Sequence, residues 1–158
     1  MKRILLILFV CSAWCATAQN FQLQNAINYL RSEEFDKAKP AADATIENDD
    51  TKSKAKTWMV RGKIYMGIYL SKKPEMKALD NEAQEKAVLS FTNCLKLDKD
   101  NIYKDEVKSL LVDACGALYV KVNMYTDNKD YDHILNAYNL LEQALPYDFD
   151  QGLKHNNI

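Results

Sequence analysis

Three times along the chain a small residue stands three positions before a tyrosine: Ala26 and Tyr29, Gly62 and Tyr65, Gly116 and Tyr119. Each pair sits in a run whose apolar residues recur every three or four positions, the period of a helix with one buried face. A second such run follows each time, carrying its own triplet: Ala38, Ala42 and Thr45; Ala87, Phe91 and Cys94; Ala137, Leu141 and Ala144. A small side chain at a helix crossing lets two axes approach to the short end of the roughly 8–10 Å range, and a larger neighbour fills the groove. Gly and Pro number only 4 and 3, so little interrupts these runs. The chain is thereby restricted to successive helical hairpins, none of which buries its apolar face alone.

The pattern predicts six helices after residue 20. The first covers about 21–31, with Leu23, Ala26, Ile27 and Leu30 on one side, and turns at Ser32, Glu33 and Glu34. The second begins at Phe35 and ends near 48–50, with Pro40 near its start, where a missing N–H is tolerated. The third runs over about 53–70, with Trp58, Ile64, Tyr65 and Ile68 inward, and breaks at 71–74. Asp80 is the expected cap of the fourth, which carries Ala83, Ala87, Phe91, Cys94 and Leu95. Turn-forming residues at 97–101 end it. The fifth spans about 103–124, and 125–129 read as a polar loop. Asp130 caps the sixth, whose inward residues are Ile134, Ala137, Tyr138, Leu141, Ala144 and Leu145, with Pro146 as its stop. The interval between small-residue markers is 12 in the first pair, 25 in the second and 21 in the third. Longer helices or inserted turns are therefore expected in the last two pairs, on the same side of the stack.

The chain begins Met1-Lys2-Arg3, continues with an unbroken apolar run from Ile4 to Val10 and apolar character to Cys15, and reaches Ala16-Thr17-Ala18. Basic, apolar and small-residue parts in that order predict a secretory signal over 1–18. The apolar part is shorter than the roughly 20 residues a membrane-spanning helix needs. Val10 and Trp14 precede Cys11 and Cys15, where a lipid-modified cysteine wants a small neighbour. The expectation is therefore an exported chain, periplasmic or extracellular, without a lipid anchor and without membrane insertion after cleavage. Without Lys2 and Arg3 the 21 basic residues fall to 19 against 22 acidic ones, a net charge of −3. That balance lacks the basic face nucleic acid requires. The domain is expected over 19–147, with a tail at 148–158. Two cysteines remain, Cys94 and Cys115. An oxidising compartment leaves a disulfide open to them, and burial as small apolar residues is the reading preferred.

Trp58-Met59-Val60-Arg61-Gly62-Lys63-Ile64-Tyr65, followed by Ala87-Val88-Leu89-Ser90-Phe91, has the form W-x2-R-G-x2-Y then A-x3-F. This resembles the tetratricopeptide repeat, a helix–turn–helix unit of about 34 residues. The resemblance covers roughly residues 20–147, with the second repeat carrying most of it. Arg61 stands where the family usually has leucine, and Lys99 where it has a closing proline. The resemblance implies an all-α, right-handed stack of about three antiparallel helix pairs. It also implies a concave surface lined by the first helix of each pair, with Leu23, Ile27, Met59, Lys63, Met66, Asp113, Ala117 and Val120 facing it. Of these, Met59, Lys63, Met66, Asp113, Ala117 and Val120 are the expected partner-binding residues. Some members of the family hold a peptide's terminal carboxylate there. The matching positions, Leu23, Ile27, Val60, Leu110 and Ala114, offer no side-chain donor, so that mode is not expected.

No Gly-rich phosphate loop, H-E-x-x-H motif or paired C-x-x-C occurs. His133, in Asp130-Tyr131-Asp132-His133, reads as part of a helix start, where acids suit the helix dipole. No catalytic residue, cofactor or metal is expected. The function implied is a non-enzymatic scaffold that binds a protein or peptide. The alternative is a structural component of a cell-envelope complex that self-associates or continues into a longer array.

Overall fold

The three triplets form the spine of the core. All nine residues, from Ala38 to Ala144, are at most 3% exposed. The computed structural model that shows this describes residues 21–147. The expected export signal and the tail lie outside the described residues. Within them there is no strand. Helix α1 covers residues 21–31, followed by α2 (Phe35–Ile46), α3 (Asp49–Lys52), α4 (Ala55–Leu70), α5 (Pro74–Lys77), α6 (Ala83–Leu97), α7 (Lys104–Asp127), α8 (Tyr131–Ala144) and a 3₁₀ turn (Leu145–Tyr147). The longer helices pack in chain order, α2 on α4, α4 on α6, α6 on α7 and α7 on α8, and α6 also meets α8 and α4 meets α7.

Close approach is enforced where glycine faces an aromatic ring. A methyl group on Gly62 would lie 2.5 Å from the Phe91 ring, so the A-x-x-x-F of α6 closes directly onto the glycine of α4. Gly67 plays the same part against Phe35 of α2, at 2.3 Å. Gly116 does not: nothing lies within 4 Å of where its Cβ would be. Trp58 spans back to the preceding turn, its indole N–H donating to the Lys52 carbonyl at 2.6 Å.

The first and third hairpins share one turn. Glu33 and Lys129 both adopt positive φ, at 55° and 56°. Beside them Glu34 N–H bonds Tyr29 C=O and Asp130 N–H bonds Tyr125 C=O, each at 2.9 Å. Glu33 N–H reaches Leu30 C=O and Lys129 N–H reaches Thr126 C=O. These paired bonds satisfy the last carbonyls of α1 and α7 in the Schellman arrangement.

Several boundaries differ from expectation. Pro40 is the sixth residue of α2, not at its start, and its exposed position leaves the orphaned Asp36 carbonyl to solvent. Asp80 does not cap α6, which starts after Glu82; its carboxylate accepts the Glu82 N–H instead, at 3.0 Å. Asp130 does cap α8, accepting from His133 N–H at 3.4 Å. The polar residues 125–127 continue α7 rather than forming a loop. Asp98 organises the link before α7, its carboxylate accepting from Ile102 N–H at 3.0 Å and Tyr103 N–H at 2.7 Å. Cys94 and Cys115 are buried without a disulfide. Burial pushes the Cys94 thiol up to about 12.

Candidate functional site

The long intervals of the second and third pairs have different causes that meet in space. In the second pair an inserted segment, 71–82, carries the single turn α5 with Pro74 at its first position. In the third, α7 is simply longer. The insert supplies Ala78, Leu79, Asp80, Asn81 and Glu82, the far end of α7 supplies Lys121 and Tyr125, and α8 supplies His133. Together they line a cavity of about 600 Å³. The two additions thus meet at one cavity.

The polar groups there are tied to one another. Lys121 Nζ lies 2.9 Å from Glu85 Oε2, with side chains only 11% and 5% exposed. Lys121 also donates to the Asn81 carbonyl, and the Tyr125 hydroxyl donates to Glu85 Oε1. Burial first, and the Glu85 bond second, hold the Tyr125 phenol far above its usual range, so it remains a donor. His133 stacks on the Tyr125 ring with centroids 5.0 Å apart. Its Nδ1 is 2.8 Å from Asp130 Oδ2 and its Nε2 is 3.6 Å from Glu82. The bond to Asp130 raises the imidazole above 6.5 and lowers the carboxyl below 3.8. A general base supported by a carboxylate needs its second nitrogen turned to a proton donor of the reaction. Here that nitrogen faces the Glu82 carboxylate at 3.6 Å, so the ring, when protonated, joins two acids on different elements. No group of three or more His, Cys, Asp or Glu among the described residues is placed to hold a metal ion.

The same polar seam continues through the molecule. Glu82 pairs with Lys86 at 3.4 Å, Lys86 with Asp80 at 2.7 Å, Asp80 with Lys39 at 3.4 Å, and Lys39 with Asp43 at 3.6 Å. Asp43 then accepts from Arg61 Nε at 3.0 Å and from the Tyr65 hydroxyl at 2.8 Å. Arg61 is buried, with Nη1 on Ser90 Oγ at 2.8 Å and its guanidinium 4.6 Å from the Tyr65 ring centroid. The arginine that departs from the repeat pattern is therefore the inner terminus of an alternating-charge chain. It runs Arg61, Asp43, Lys39, Asp80, Lys86, Glu82, His133, Asp130.

The expected partner-binding residues separate into two groups. Met59 and Met66 are 8% and 6% exposed and belong to the core, and Lys63 of α4 pairs with Glu106 of α7. On α7, Asp113 and Val120 are exposed and Ala117 is half-buried between them. Met124, four residues beyond Val120, extends this face and was not anticipated. A second exposed face was also missed. Tyr131, Leu135, Tyr138 and Leu145 of α8 and its 3₁₀ extension are 71, 63, 48 and 38% exposed. Tyr138 and Leu145, expected inward, face outward. The signal was present as a second apolar spacing beside Ala137, Leu140, Leu141 and Ala144, which face the core. Tyr138, Leu141, Glu142 and Leu145 enclose a small cavity of about 250 Å³. No described helix is long and apolar enough to cross a membrane.

Comparison with known proteins returns no matching family model, no matching curated protein and no matching solved structure.

Proposed function

We propose that this chain is an exported, non-enzymatic helical scaffold of the tetratricopeptide kind that binds a protein segment. The observation that carries the reading is the two rows of large apolar side chains left open, one on each of the last two helices. Val120 and Met124 stand on α7, and Tyr131, Leu135, Tyr138 and Leu145 on α8. Contiguous exposed apolar side chains mark association surfaces, whereas scattered ones need no explanation. Their helical spacing suits a partner helix laid along the face.

The test is site-specific photo-crosslinking in the native cell. A photoreactive residue at 120, 124, 135 or 138 gives discrete protein adducts, and one at Asn136 on the polar side of α8 gives none. Equal yields from both sets set the reading aside. Export is checked on the same material: the envelope fraction holds a chain beginning at Gln19. A full-length chain confined to the cytoplasm removes that part of the proposal. The second reading, self-association within an envelope assembly, is favoured by the apolar face of α8. Light scattering of the mature chain separates the two, since the scaffold reading expects a monomer.

A further inference from the structure

We infer that the open face of α8 receives a basic amphipathic helix, with one Lys or Arg of that partner entering the cavity beside Glu142. The inference rests on the scaffold reading and names its partner. Tyr131, Leu135, Tyr138, Glu142 and Leu145 follow one another at intervals of four, three, four and three, so they share one face. The face runs about 21 Å at 1.5 Å per residue, the length of a four-turn helix. Behind it Ala137, Leu140, Leu141 and Ala144 are buried, so this face is a surface and not displaced core.

Charge selects the occupant. Asp132 and Glu142 are the only formally charged side chains on α8, which has no Lys or Arg, and its cap is a third acid, Asp130. His133 points to the other side, between Tyr125 and Glu82. Among the described residues no cation pairs with Glu142, although it stands within an apolar row. In the cavity of about 250 Å³, the Tyr138 ring, Leu141 and Leu145 supply apolar walls and Glu142 the one carboxylate. A long aliphatic stem with a cationic head matches that lining: the stem lies on the leucines and the head meets the carboxylate or the Tyr138 ring. A second copy docking α8 against α8 would bring acids to acids and no cation to Glu142.

The probe is a labelled 18-residue helical peptide with leucines on one face and lysines on the other, together with its twin carrying glutamates for lysines. Binding to the full mature chain is read by fluorescence anisotropy near physiological salt. The basic peptide binds at least about tenfold more tightly than the acidic twin. Leu135→Ser and Tyr138→Ser each weaken it about tenfold or more, with circular dichroism and thermal unfolding unchanged. Glu142→Lys reverses the preference, so a variant with both a gain and a loss guards against simple misfolding. Equal affinity for the two peptides, or indifference to Leu135→Ser, overturns the inference. So does a dimer in light scattering that Leu135→Ser dissolves, which assigns the face to a second copy. Binding seen only after deletion of residues 148–158 also overturns it, assigning the face to the chain's own tail. Protein crosslinks from position 138 without affinity for the basic peptide remove this partner and leave the scaffold reading standing.

Discussion

At Gly62 a methyl group has no space. Its Cβ would stand 2.5 Å from the Phe91 ring, which is itself fully buried between α4 and α6. Alanine would raise helix propensity by about 1 kcal/mol, but forcing the ring aside in a packed core costs about 1–3 kcal/mol. Gly62→Ala is therefore expected to lower stability in chemical denaturation. Gly116→Ala is expected to raise it by about 0.5–1 kcal/mol, because its Cβ meets nothing and its φ is not positive. Opposite signs from one substitution at two equivalent sequence positions give the measurement its force. The repeated small-residue spacing placed both glycines at helix crossings, which holds for Gly62 and not for Gly116. It did not reveal how far the opposing side chain reaches, and so could not separate Gly62 from Gly116 or reveal Gly67 against Phe35. Arg61 follows the same logic. Its departure from the repeat pattern was visible, while its partners Asp43 and Ser90 lie 18 and 29 residues away. Asp43→Ala strips the acceptor from both Arg61 and the Tyr65 hydroxyl. Leaving a buried guanidinium unpaired costs about 3–5 kcal/mol. Asp43 is one-third exposed, so water re-enters and about 2 kcal/mol is expected by urea unfolding.

Helix ends show where sequence patterning and tertiary structure compete. The helix interiors were legible because their burial follows one period, and the triplets of α2, α6 and α8 are buried as read. Residues 125–127 looked like a loop because Tyr125, Thr126 and Asp127 are polar. They are helical because Tyr125 finds an acceptor in Glu85, 40 residues back. No local signal carries that. The short α3 and α5 were not anticipated for a related reason: four-residue helices have too few positions to show a period. The turn after α7 makes a prediction of its own. Lys129 holds φ at 56° at the position where helices prefer glycine. A left-handed conformation costs an L-residue about 1–2 kcal/mol, offset in part by the greater chain entropy glycine loses. Lys129→Gly is expected to raise stability by up to about 1 kcal/mol and the Tm by a few degrees, read by calorimetry. The paired bonds to Tyr125 and Thr126 carbonyls persist in that variant, since both donors are backbone groups. A fall in Tm would show that the Lys129 side chain contributes more than its backbone strain costs.

Across the molecule, the alternating-charge chain links α4, α2, the inserted segment, α6 and α8, elements no local pairing would join. Its inner end at Arg61 is buried and its outer end at Asp130 and His133 is about 40% exposed. The inner links therefore act through desolvated hydrogen bonds, and the outer ones are screened by salt. The outer end carries the imidazole. His133 faces Asp130 on its own element, Glu82 and Glu85 from α6 and its preceding turn, and the Tyr125 ring from α7. Its imidazole is raised above 6.5, first by the Asp130 bond. A group with a raised folded value stabilises the fold fully below its unfolded value, and that contribution is lost as pH rises through the folded value. The anchoring of α8 to the inserted segment should therefore be strongest below pH 6.5 and weaken above it. Comparing thermal unfolding of the native chain with His133→Gln from about pH 5 to about pH 9 reads this directly. The difference in Tm should be largest at the acidic end and shrink toward the alkaline end, and higher salt should reduce it at the acidic end alone. A difference that stays level across the range would assign the imidazole's contribution to its stacking on Tyr125. Asp130 would then be an independent surface acid, and the chain of charges would end at Glu82.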